Sequence, residues 1–161
     1  MIRFVIAALC FLSLVVWVVV SVVLSIQFDR NCEGHLKRAA DSNTVELARS
    51  EMEQAVSFLE RNKLTEGYTS VVYTTPDEDV GFWYQNLKSS LAELKAVKAD
   101  ATQLERSNVL MKLRETLLDN DHVTVPSGME KFPDNKLYFM WGLGSLVLLI
   151  GFVGARYLFE D

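Results

Sequence analysis

Two apolar runs bracket this chain and set most of what it can fold into. From Phe4 to Ile26 there are 23 residues without a charge, and from Leu137 to Ala155 there are another 19. As helices rising ~1.5 Å per residue they cover ~34 Å and ~28 Å, against a hydrocarbon core of ~30 Å. Segments 4–28 and 137–159 are therefore expected to be transmembrane helices. The first run is longer than the ~7–15 apolar residues of a signal peptide core. No small-x-small cleavage site precedes Asp29, and Cys10 lies too deep in the run for lipoprotein processing.

Between the runs, residues 29–136 hold 14 of the 16 basic and 19 of the 21 acidic residues, so this segment carries the chain's whole net charge of −5. An acidic segment without clustered Lys and Arg lacks the phosphate contacts that nucleic-acid binding requires, which removes nucleic acid as a partner. The two basic residues outside this segment, Arg3 and Arg156, flank the outer ends of the apolar runs. A long connecting domain crosses largely regardless of charge. The expected topology is an integral protein of a bacterial cytoplasmic membrane, with both termini cytoplasmic and residues 29–136 outside.

The middle segment reads as helices. A stalk over 29–42 leads to a helix over about 43–62, with Asn43 and Glu46 as a capping box and Leu47, Ala48, Met52, Ala55 and Leu59 on one face. A connecting loop covers Leu64–Thr75. The next helix, about 76–98, has Thr75 as N-cap, Pro76 in the first helical position and Glu78 three residues after the cap. Its stripe is Val80, Trp83, Tyr84, Leu87, Leu91 and Leu94. A third helix, about 101–119, has Asp100 as N-cap and Gln103 closing the box. Its wide apolar surface predicts that it is the most buried of the three. Residues 120–136 are expected to return to the membrane in extended form. The fold class is an all-α membrane protein: two transmembrane helices flanking an extracytoplasmic three-helix bundle with an extended return segment.

Small residues suggest how the membrane helices meet, since they let backbones approach where lipid removes the hydrophobic drive. Ser21 and Ser25 lie at the depth of Gly142, Gly144 and Ser145 if the helices run antiparallel. Ala7, Ala8 and Cys10 would face Gly151, Gly154 and Ala155. The pairing falls either within one chain or between chains. Tyr138, Trp141, Tyr157 and Phe159 fit interfacial aromatic belts. Neither run carries an internal charge, which argues against an ion or proton pathway.

Catalytic signals are weak. Cys32 and His35 are three apart with Glu33 between them, too few ligands for a metal site, and His122 follows directly on Asp119-Asn120-Asp121 as a loop proton acceptor at most. There is no phosphate-binding glycine loop, nucleophile elbow or metalloprotease motif. No cofactor or metal is expected, and Cys32 is either a free thiol or a link between neighbouring copies. In TTPDEDVGFWYQ (74–85), Trp83 and Tyr84 fall on the core stripe. Phe82 falls on the opposite face with Gly81, Ser89, Ala92 and Ala96, so it is the expected partner contact.

These readings make the chain a non-enzymatic accessory or scaffolding subunit that binds the lipid bilayer and either itself or other membrane proteins. The layout resembles the sensing half of bacterial chemoreceptors. That resemblance implies a ligand-binding sensor signalling through a separate partner chain, with Trp83 and Tyr84 lining its pocket. A phage or envelope lysis factor is the third alternative.

Overall fold

The computed structural model describes the backbone of residues 2–159 and the side chains of residues 5–151. The protein is almost all α. Helix α1 (Ile2–Phe28) runs through a π turn at Asp29–Glu33 straight into α2 (Gly34–Ala40). The expected stalk is thus a continuation of the first apolar helix, and it belongs to the core. Phe28, Cys32, Leu36 and Ala40 are all buried and step by four residues across the turn. A helix of ~3.6 residues per turn would rotate such a row off the core, and one wider turn keeps it aligned. Gly34 permits the turn. Its N–H bonds the Asp29 carbonyl five residues back, and a Cβ there would lie 2.9 Å from that oxygen.

Helix α3 (Val45–Arg61) starts at Thr44, whose side chain accepts the Leu47 amide at 3.3 Å, one residue later than the expected Asn43 cap. Its buried row of Val45, Ala48, Met52, Ala55, Val56 and Leu59 packs on α2 on one side and on α4 (Val80–Ala96) on the other. Helix α4 also begins late. Pro76–Glu78 form a 3-10 turn, Asp79 leaves the helical region at ψ 102°, and its carboxylate accepts the Phe82 amide at 2.9 Å. The hydroxyl of Thr75 is engaged elsewhere, donating to Glu78 at 2.6 Å, so it does not cap the helix.

Helix α5 (Gln103–Leu117) carries a complete capping box formed by Thr102 and Glu105, two residues beyond the expected Asp100 and Gln103 pair. Arg106 holds the approach to this cap by donating to the carbonyls of Ala99 and Ala101. The expectation that α5 is the most buried helix is wrong. Only Leu113 and Leu117 are buried, and Leu104 and Met111 face out. Its apolar residues surround the helix, but α2, α3 and α4 meet it along one side only.

The return is more ordered than an extended segment. Strands β1 (Leu118–Asp119) and β2 (His122–Val123) pair antiparallel across Asn120 and Asp121, which take positive φ of 48° and 63°, as a two-residue hairpin requires. A 3-10 turn at Met129–Lys131 follows, and α6 (Asn135–Phe159) begins two residues before the uncharged run. The bundle therefore has four helices, α2 to α5, rather than three. One continuous core runs from Phe28 through Leu59, Trp83 and Leu94 to Met129.

Helix α6 packs antiparallel along α1. One helix, Val5–Ala40, is long and apolar enough to cross a membrane, while the apolar part of α6 described at side-chain level, Asn135–Gly151, is shorter.

Candidate functional site

The contact between α1 and α6 follows a strict rhythm. On α1 the covered positions are Ile6, Ala7, Cys10, Ser13, Leu14, Trp17, Val20, Ser21, Leu24 and Phe28, and on α6 they are Asn135, Tyr138, Gly142, Ser145 and Leu149. Steps of three and four alternate on α6 and along the α1 row from Ala7 through Trp17 to Phe28, the spacing of a left-handed coiled-coil seam. Trp17 is the main knob. Its ring fills the space over Gly142, where a Cβ would stand 2.7 Å from the indole, and its Nε1–H donates to the Tyr138 carbonyl at 2.9 Å.

A second polar link lies next to it. Trp141 Nε1–H donates to Ser13 Oγ at 2.9 Å, and Ser13 Oγ meets Ser145 Oγ at 2.9 Å. In an apolar surrounding such bonds give two helices a fixed register, which apolar packing alone does not supply.

This arrangement revises the small-residue assignments. Gly142 sits in the seam as expected, but it meets Trp17, not Ser21 or Ser25. Ser25 is exposed, and the Ser21 hydroxyl is buried without a partner. A Cβ at Gly144 or Gly151 would touch nothing within 4 Å among the described residues. The side chain of Ala155 lies outside the described residues. Trp17 and Ser13 were missed as packing residues, whereas Ser145 was named at this depth but without Ser13 as its partner. The signal that could have found Trp17 is the alternating three-and-four spacing, readable through Trp17 and Ser21 on one helix and Gly142 and Ser145 on the other, and Ser13 stands one turn before Trp17.

The outward positions of both helices, among them Leu9, Phe11, Val19, Leu148 and Ile150, are apolar and uncovered. Contiguous apolar patches of this kind are rare on monomeric water-soluble proteins and mark protein or membrane contacts.

In the bundle, Cys32 is 0% exposed. Burial, reinforced by the Glu33 carboxylate, pushes its thiol far up and suppresses the thiolate that disulfide exchange needs. Of the two alternatives for Cys32, a link between copies would require the core to open. His35 points to a different partner. Its Nδ1 lies 2.6 Å from Glu51 Oε2, while Arg38 Nη2 lies 2.6 Å from Glu51 Oε1. A carboxylate only accepts, so Nδ1 carries the proton. Glu51 is 7% exposed and ties α2 to α3. A shallow hollow of about 450 Å³ opens beside His35, lined by Ser50, Gln54, Ser57 and Arg61. Among the described residues, no three His, Cys, Asp or Glu side chains converge as a metal site would need.

The stretch 74–85 divides as expected. Trp83 and Tyr84 are buried on the stripe with Leu87 and Leu91, and Phe82 is 68% exposed. Trp83 Nε1–H donates to the Thr124 carbonyl at 2.8 Å, fixing the return segment to α4. Tyr84 points away from Trp83. Its hydroxyl donates to Glu60 at 2.6 Å, and burial together with this carboxylate pushes its pKa up to about 12. The two rings therefore share no pocket. Trp83, with Phe82, lines an open groove of about 570 Å³ between α4, the end of α5 and Thr124–Ser127, rimmed by Asp77, Glu78 and Asp79.

Fold and surface together define the class: an all-α protein with a membrane-length apolar helix continuous with a four-helix bundle. No protein-family model, curated protein or solved structure matches this chain.

Proposed function

We propose that the protein is a membrane-anchored scaffolding subunit, held in the bilayer by α1 and α6 and presenting its bundle to a partner. Both termini then lie on the cytoplasmic side, and residues 29–136 lie outside. The observation that carries this reading is Phe82, a large aromatic left 68% exposed on a helix whose neighbouring Trp83 and Tyr84 are buried. Leu104 and Met111 on α5 add further uncovered apolar surface. Aromatic anchors in otherwise polar surroundings are the typical centres of protein contacts. The uncovered apolar surface of α1 and α6 supports the bilayer as the second partner.

Native mass spectrometry of the protein extracted in mild detergent from its own host tests this. The expected result is a homo-oligomer or a defined complex that Phe82→Ser dissociates without lowering the melting temperature. A lone monomer, or a complex indifferent to Phe82→Ser, overturns the reading.

A further inference from the structure

We propose that the loop Gly67–Pro76 inserts into the lipid–water interface as a second membrane contact, separate from the two helices. This rests on the reading that α1 and α6 cross the bilayer. The loop is a closed excursion. Its ends are joined by Thr69 N–H to the Glu78 carbonyl at 3.1 Å and Val80 N–H to the Gly67 carbonyl at 3.0 Å, with Tyr68 and Asp79 bridged between them. Its root is also tied to the start of α6, where Asn135 Nδ2–H donates to the Thr69 carbonyl at 2.8 Å. Asn135 precedes the uncharged run at Leu137 by two residues, ~3 Å along the helix axis. The root therefore lies at the level where α6 enters the hydrocarbon, inside a headgroup layer ~5–8 Å thick.

From that root the chain projects Val72 and Tyr73, which are 81% and 75% exposed. They are three and four residues from Thr69, a reach of up to ~13 Å. The ten residues Gly67–Pro76 contain no charge, and Glu66 and Asp77 stand immediately outside them. An uncharged, Val- and Tyr-bearing tip is poorly suited to water. It fits the interface, where a tyrosine ring meets acyl chains and its hydroxyl meets headgroups. No other described part of the chain covers these side chains, and the bilayer is the surface nearest to their root.

The experiment places a photoreactive benzoylphenylalanine at Tyr73 in the full chain, reconstituted in phosphatidylcholine–phosphatidylglycerol vesicles. Val15, on the open face of α1, serves as the lipid-facing control. Ala96, ~24 Å further along α4 from Val80, serves as the aqueous one. After irradiation, mass spectrometry is expected to find lipid adducts at positions 73 and 15 and none at 96. Adducts at 15 but not at 73, protein adducts in place of lipid at 73, or equal lipid labelling at 96 overturn loop insertion while leaving the helices in the membrane. Absence of lipid adducts at both 15 and 73 overturns the membrane reading, and this inference with it.

Discussion

Single atoms set the tolerance of the helix pair. A methyl group at Gly142 would stand 2.7 Å from the Trp17 ring, so Gly142→Ala must displace the indole and break its bond to the Tyr138 carbonyl. The expected cost is about 1–3 kcal/mol of pairing stability, the usual penalty for overpacking a tight contact. Gly144→Ala and Gly151→Ala, which meet open space, should leave the melting temperature in detergent unchanged or slightly raised. A second residue reports on the junction between helix and bundle. Burial, then the Asp29 and Glu130 carboxylates, push the Glu33 carboxyl up, against a smaller pull from His122. A carboxyl raised on folding stabilises fully below its unfolded pKa and loses that contribution as pH rises through the folded value. Glu33→Gln, neutral at every pH, should therefore melt above the wild type near pH 7.5. The difference should close on acidification toward pH ~4, where Glu33 itself is protonated.

At the scale of elements, helix starts and one helix junction carry the testable chemistry. Thr102 accepts the Glu105 amide, and Glu105 accepts the Thr102 amide at 2.7 Å, so Thr102→Ala should cost about 1 kcal/mol by chemical denaturation. Asp100→Ala should cost little, because Asp100 does not cap the helix. The carboxyl of Glu105 is held below its ordinary range, first by the backbone amide of Thr102 and then by its hydroxyl. That contribution is present above the ordinary carboxylate range and fades as pH falls through the lowered value. At the junction, Gly34 makes the π turn possible. Gly34→Ala would drive a Cβ into the Asp29 carbonyl at 2.9 Å. The chain must then move to a regular turn, rotating α2 and carrying Leu36 and Ala40 off the core. A loss of about 2 kcal/mol or more, with weakened protection of the α2 amides in hydrogen exchange, is the expected result.

For the whole molecule, the uninterrupted helix from Ile2 to Ala40 makes the membrane-length apolar segment and the bundle one mechanical piece. Displacement of α1 along its axis carries α2, and through the Glu51 links to His35 and Arg38 it carries α3. The antiparallel pairing of α1 and α6 puts both chain ends on one side of any bilayer these helices cross. Protease added outside intact cells should accordingly digest the segment 29–136 while epitope tags at both termini stay protected. A tag removed at one end only would refute the two-anchor topology.

Much of this architecture was legible from periodicity. The apolar runs, the α4 stripe with Trp83 and Tyr84, the exposure of Phe82 and the helices α3 to α5 follow from apolar spacing, which burial enforces locally and repeatedly. Helix starts were legible only to within one to four residues. Several Asx, Thr and Pro residues compete for each cap, and the winner depends on where neighbouring side chains and turns are already held: Glu78 takes the Thr75 hydroxyl, and Arg106 braces the turn before Thr102. The partners across the α1–α6 seam were misassigned because small residues mark close approach without specifying register. Trp17 seated over Gly142, with the bonds through Ser13, Tyr138 and Trp141, selects one alignment. By itself, then, the sequence determined the helical class, the apolar faces and the membrane-length run, because those depend on composition and spacing along the chain. Only the tertiary structure decided the joining of α1 to α2 through a π turn, the partial exposure of α5, the burial of Cys32 and the placing of loop 67–76 beside the start of α6. Each of those depends on contacts between residues far apart in sequence, which no local period encodes.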